Sequence, residues 1–261
     1  MAIKYHLTPL EIVKLLGYTK PAAKEELQQF EQKNNIKLPT QLFDFLSYAR
    51  NNPLFSTADI WASELWPYFS YQYIEEGIED CRQDFIDPKF CEGNDFYPFS
   101  KIPKEQWSDL VANYLHIGSD YAAGVVFFGI EEKDLTQENP PVYLQHEADP
   151  ITDWKLMFHT LTDYLMNIVL DILTCEYYDT GAYVLEKSGW SLFQSEYDNE
   201  EEMCAYLLEK NIDLSKMPKH ASCFKEDPFH RCCFDESEKV LYIITNDIID
   251  REIQVVAWKN C

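Results

Sequence analysis

Along this chain, apolar residues spaced three and four apart alternate with short runs of consecutive apolar positions, a pattern of helices packed on sheets. Thr8-Pro9-Leu10-Glu11 supplies an N-cap threonine, a proline at the first helical position and a glutamate placed to close a capping box. With Gly17 as the stop, it predicts a helix from Pro9 to Leu16. Thr19 is placed to cap a second helix, in which Ala23, Leu27 and Phe30 share a face. Pro39 ends the preceding segment at Leu38 and opens a third helix with Leu42, Phe45, Leu46 and Ala49 as its apolar stripe. Asn51-Asn52-Pro53 closes that helix, because asparagine tolerates the left-handed cap and proline cannot continue the helix.

From Ile60 to Tyr73 the pattern is aromatic and irregular, which suits a strand, a turn and another short element, and an acidic segment of one or two helical turns follows. Tyr114 to Ile117 reads as a strand, Gly118 to Gly124 as a turn-rich loop, and Val125 to Ile130 as a buried strand paired antiparallel with the first. Val142 to His146 is a further strand. Asp149 to Asp153 then supplies caps for a long helix reaching Leu173, with Leu161, Leu165, Ile168 and Ile172 on its apolar face.

Residues 174–261 have their own order. Tyr183 to Leu185 and Trp190 to Phe193 read as short strands, and Asp198 to Lys210 as a capped helix with Met203 and Leu207 inward. Arg231 to Phe234, Val240 to Thr245 and Glu252 to Trp258 read as a three-stranded meander. The expected fold class is α+β, a mixed or mainly antiparallel sheet with packed helices, followed by a C-terminal α+β stretch that is either a small second domain or an extension of the first sheet.

Several of these pieces in this order resemble the SUKH superfamily, which includes the Smi/Knr-type cell-wall-assembly regulators and many bacterial toxin-immunity proteins. The resemblance is carried by Glu26 to Lys37 with Leu38-Pro39, the helix Gln41 to Arg50 and Asn51, and the Trp61 region. It continues through Tyr114-Leu115-His116-Ile117-Gly118-Ser119-Asp120, Gly124-Val125-Val126-Phe127-Phe128, and Pro141-Val142-Tyr143 before the closing helix. It covers residues 19–173, so the chain divides into an N-terminal helix (1–18), a SUKH-like domain (19–173) and a C-terminal extension (174–261). The chain departs from the family at Asn51-Asn52, where Asn-Gly is usual, and at Tyr121-Ala122-Ala123, where glycine is common.

Charge narrows the partners. With 45 acidic against 22 basic residues, the formal net charge is −23. Such a surface repels phosphate backbones, which argues against nucleic acid, and it serves either solubility or attraction to a basic protein. Against membrane insertion, the most apolar stretch, Leu165 to Leu173, is broken by Asn167 and Asp171, and Met1 to Leu10 lacks a signal-peptide core. The expected location is cytoplasmic. There the eight cysteines are reduced thiols rather than a disulfide framework.

Candidate chemistry is sparse. Gly118-Ser119-Asp120 to Gly124 lacks the lysine of a phosphate-binding loop, and Ser119 is in no nucleophile elbow. His220, Cys223, His230, Cys232 and Cys233 are zinc-ligand types, but adjacent Cys232 and Cys233 do not have chelating spacing. His146-Glu147 with Asp149 reads as a strand end and helix caps, and Glu131-Glu132 and Asp235-Glu236 as solvated turn charges. No catalytic residue, metal or cofactor is expected. The candidate partner-binding residues are Trp61, Trp66, Tyr68 and Tyr71 beside Glu75, Glu76, Glu79 and Asp80, aromatic anchors next to carboxylates. The resemblance implies a non-enzymatic immunity protein that neutralises a basic toxin domain, often a nuclease, or alternatively a cytoplasmic regulatory scaffold recruiting endogenous proteins.

Overall fold

Thr8 caps the first helix, α1 (Pro9–Leu15), with the reciprocal bonds its sequence dictates: Thr8 Oγ1 accepts from Glu11 N at 3.2 Å, and Thr8 N donates to Glu11 Oε2 at 2.8 Å. Gly17 follows at φ 102°, a conformation that favours a residue without a Cβ. The computed structural model describes residues 2–50, 54, 114–120, 126–146, 154–174, 185–197, 199–221, 229–246 and 253–260.

The second helix, α2 (Lys24–Asn34), starts later than Thr19 would place it, and Ala23 at its N-cap gives no side-chain bond. Packing sets this start. Ala23 is buried, and its N–H donates to Ser47 O at 3.1 Å. Ser47 belongs to α3 (Thr40–Ala49), which follows Pro39 and buries Leu42, Phe45, Leu46 and Ala49. Asn51-Asn52-Pro53 lies outside the described residues, and Arg50 is already extended at the C-cap.

The first sheet has the antiparallel order β2 (Tyr114–Asp120), β3 (Val126–Glu131), β4 (Val142–His146), β5 (Lys155–Phe158). Gly118 to Asp120, expected as turn, is strand, because the register shifts between His116 and Gly118 and the ladder resumes as Gly118 opposite Phe128. Strand β5 stands where a helix was expected to have begun. The helix, α4 (Leu161–Thr174), starts only after Thr160, whose Oγ1 accepts from Asp163 N at 3.1 Å and donates to Asp163 Oδ2 at 2.6 Å. That local cap sets the start, while Asp149 to Asp153 lie outside the described residues. Helix α4 is buried on nearly every side, as a central helix must be.

The second sheet has the order β1-β8-β9-β10-β6, from β1 (Ile3–Lys4), β8 (Phe229–Asp235), β9 (Val240–Asn246), β10 (Ile253–Asn260) and β6 (Trp190–Tyr197). The expected meander is present as β8-β9-β10. Strand β7 (His220–Ala221) joins the other end of the β8 edge that β1 uses. Leu185, expected to end a strand, lies in a helical turn, and Tyr183 and Val184 lie outside the described residues. Helix α5 (Glu200–Glu209) is capped by Asn199, whose Oδ1 accepts from Glu202 N at 3.0 Å, and turns Met203 and Leu207 inward.

Alternation along the strands feeds two cores. Cys232, Phe234, Leu241, Ile243, Val256 and Trp258 share one core with α1, α3, α4 and the inner face of the first sheet. Cys233, Tyr242, Ile244, Val255 and Ala257 face the other way, against Met203 and Leu207 of α5. Trp258 Nε1 donates to Leu173 O at 3.1 Å, bonding the second sheet to the C-terminal end of α4.

Candidate functional site

Residues directly opposite one another in a ladder point to the same face of the sheet. On the first sheet, Leu115, Ile117, Phe128, Ile130 and Val142 enter the core, where the Phe128 and Tyr164 rings meet at 5.2 Å. The outer face carries Tyr114 opposite Glu131, Gly129 opposite Tyr143, and Tyr143 opposite Leu156. Trp154, just before β5, folds back over this face. Its ring stacks on Tyr114 with centroids 4.3 Å apart and 7° between planes. A Cβ at Gly129 would stand 2.8 Å from the tryptophan Cζ3, so this close approach requires glycine there. Tyr143 meets Tyr114 edge-on at 5.4 Å. Tyr114 is buried, Trp154 and Tyr143 are half-buried, and Leu156 is 48% exposed.

Carboxylates border these rings. After β3 the chain makes a 3-10 turn, Glu132–Asp134, in which Lys133 pairs with Glu131 at 2.5 Å and Asp134 Oδ1 accepts from Gln137 Nε2 at 2.7 Å. Burial, then the charges of Glu131, Tyr143 and Asp134, push the Tyr114 hydroxyl up to about 12. Burial, then the charges of Asp134 and Glu131, also raise the Tyr143 pKa, opposed by Lys133. The rings therefore sit in a negative field. Over 131–138 the sequence sets Glu131, Glu132, Asp134 and Glu138 against Lys133 alone. Such a surface can hold an apolar group beside a cation.

A second polar group lies at the seam between the sheets. On α4, Asp163, Asn167 and Asp171 recur every four residues and so share a face. His230 Nε2 is 2.7 Å from Asp171 Oδ1, and Asn167 Nδ2 donates to Asp171 Oδ2 at 2.7 Å. His220 stands opposite His230 in the ladder and is half-buried; burial lowers its pKa, the Asp163 charge opposes this, and His230 adds to the lowering. The histidine and cysteine cluster of the sequence is split. Cys232 follows His230 onto the α4 side, Cys233 turns into the other core, and Cys223 lies outside the described residues. Burial pushes the Cys232 thiol up to about 12 and raises Cys233 further, which leaves both thiols protonated and unreactive. Among the described residues, no group of three or more His, Cys, Asp or Glu side chains could hold a metal ion.

The sequence candidates Trp61, Trp66, Tyr68, Tyr71, Glu75, Glu76, Glu79 and Asp80 all lie outside the described residues. Ser119 falls within β2, and His146 ends β4, while Glu147 and Asp149 are outside the described residues. Asp235 is not a solvated turn charge. It is buried, and its Oδ1 accepts from Ser237 N at 2.8 Å and Ser237 Oγ at 2.6 Å. Burial alone would raise its pKa, but these bonds and the Glu238 N–H hold it below the usual value. Sequence reading missed the Trp154 platform by merging β5 with the helix after it; Thr160-Leu-Thr-Asp163 was the signal for a later helix start. No helix among the described residues is long and apolar enough to cross a membrane.

The family model for the SMI1 / KNR4 family (SUKH-1) matches residues 21–167. No curated protein and no solved structure matches the chain.

Proposed function

Because the chain belongs to the SMI1 / KNR4 (SUKH-1) family, we propose that it is a non-enzymatic protein-binding module that neutralises a toxin by stoichiometric capture. The family match carries the reading, since membership supports a SUKH-type immunity or regulatory role. The net charge of −23 supplies the electrostatics: carboxylates imitate the nucleic acid that a basic nuclease domain binds, and long-range attraction speeds encounter. The protein works in the cytoplasm without cofactor, metal or nucleic acid. Trp61, Trp66, Tyr68 and Tyr71 with Glu75, Glu76, Glu79 and Asp80 form part of the contact. Family membership supports one other reading, a cytoplasmic regulatory scaffold recruiting endogenous proteins.

Pull-down from the native cell followed by mass spectrometry separates the two: a basic toxin domain supports neutralisation, and housekeeping proteins alone support the scaffold. With the toxin domain in hand, stopped-flow association should slow as salt shortens the Debye length from ~30 Å at 0.01 M to ~8 Å at 0.15 M. Reversing Glu75, Glu76, Glu79 and Asp80 should slow it further. A salt-independent rate, unmoved by that reversal, would reduce the acidic surface to a solubility device.

A further inference from the structure

The outer face of the first sheet joins two properties. It is flat, aromatic and partly open: Trp154 lies on the Gly129 backbone and on Tyr114, Tyr143 flanks them, and Leu156 stands 48% exposed on β5. Exposed large apolar side chains are few among the described residues, Leu156, Phe193 and Leu208, and of these Leu156 alone adjoins this aromatic layer. The same face is bordered by Glu131, opposite Tyr114, and by the buried Asp134, whose charges act on Tyr114 and Tyr143, and exposed Glu132 follows Glu131 in the chain. Two strand spacings, about 10 Å, separate Leu156 from Gly129, and Glu131 lies two residues, about 7 Å, further along the same strand, so one short segment of a partner can touch apolar floor and acidic rim together.

We propose that this face is the docking surface for the basic partner of the binding reading, on which the proposal rests. A lysine- or arginine-bearing segment seats an apolar group on Trp154 and Leu156 and directs its cations to Glu131 and Glu132, in the field that Asp134 reinforces. Charge selects the occupant. Nucleic acid would meet like charge, and a second copy of this chain would bring a further −23 to the same rim. The anchor and the rim have separate jobs: a desolvated apolar contact governs how slowly the complex parts, and the rim charges govern how quickly it forms.

The test uses the full chain and the basic toxin domain recovered in the pull-down as probe. Leu156→Asp removes the apolar group while keeping the sign of the rim, at an exposed position where folding should survive; circular dichroism checks that it does. It should weaken binding about tenfold or more, mainly through faster dissociation. Glu132→Lys should slow association several-fold at low salt, and Phe193→Asp, at an exposed position on the second sheet, should leave both rates unchanged. Hydrogen exchange should show protection of 126–146 and 154–158 in the complex. If Leu156→Asp and Glu132→Lys both bind like the parent while reversal of Glu75, Glu76, Glu79 and Asp80 still slows association, the docking surface lies elsewhere: the inference falls and the binding reading stands. If the parent chain binds no basic protein, both fall. A dimer dissolved by Leu156→Asp, with no effect on the basic protein, would put a second copy on this face and overturn the proposal.

Discussion

The two sheets use their faces differently. The first, β2-β5, packs one face on α4 and leaves the other half open under Trp154, Tyr143 and Leu156. The central strands of the second are packed on both: Cys232, Ile243 and Trp258 face α4, while Cys233, Ile244 and Val255 face α5. A sheet with one open face can exchange its surface with a partner at little cost to its own stability. A sheet buried on both faces has only its edges and loops to offer, and its contribution is to α4, whose remaining apolar side it covers.

That contrast predicts large stability effects from the second sheet. Trp258→Ala removes a buried ring and its bond to Leu173 O, and should cost ~3–5 kcal/mol in denaturant unfolding. Because this ring belongs to the core shared with α4, loss should appear as one weakened transition followed by fluorescence and by circular dichroism alike. Two separated transitions, with the first sheet unaffected, would show the sheets to be independent units. A smaller effect is expected at the seam. Asp171→Ala leaves His230 buried without the carboxylate that accepts from it, for a cost of ~1–3 kcal/mol that the same unfolding curves would read.

The smallest effect is a pH dependence. Burial keeps His220 neutral in the native protein below its ordinary value of 6.5, whereas the unfolded chain takes up the proton there. The unfolded state thus binds more protons, so the stabilisation from neutral His220 is present above pH 6.5 and declines as pH falls through it toward the lower native value. Urea midpoints from pH 8 to pH 5 should show this decline, and His220→Gln should flatten it. An unchanged slope in the variant would remove His220 from the seam's energetics.

Local chemistry made much of this architecture readable. The Thr8 to Glu11 box, the Leu42 to Ala49 stripe, the β8-β9-β10 meander and the inward Met203 and Leu207 each follow from neighbours a few residues apart. What was not readable is non-local. Nothing near Ile3 announces that it will pair with Asp235, and nothing around Asp171 announces His230. Strand β5 was hidden because four residues give too short a pattern to stand apart from the helix that follows. The Trp154 platform depends on Gly129 two strands away, a contact that only the folded sheet creates.

The way the second sheet closes over α4 also has a consequence on the ribosome. Helix α4 is complete at Thr174, but Val256 and Trp258, which cover it, are translated only near residue 260. At ~5–20 residues per second, the apolar flank of the helix stays open for roughly 4 to 17 s after it is made. During that interval the nascent chain carries a sticky surface with no internal cover. Ribosome-bound chains stalled with the helix at 161–174 already outside the exit tunnel and the strand at 253–260 not yet made should therefore recruit holdase chaperones, and release them once that strand has emerged.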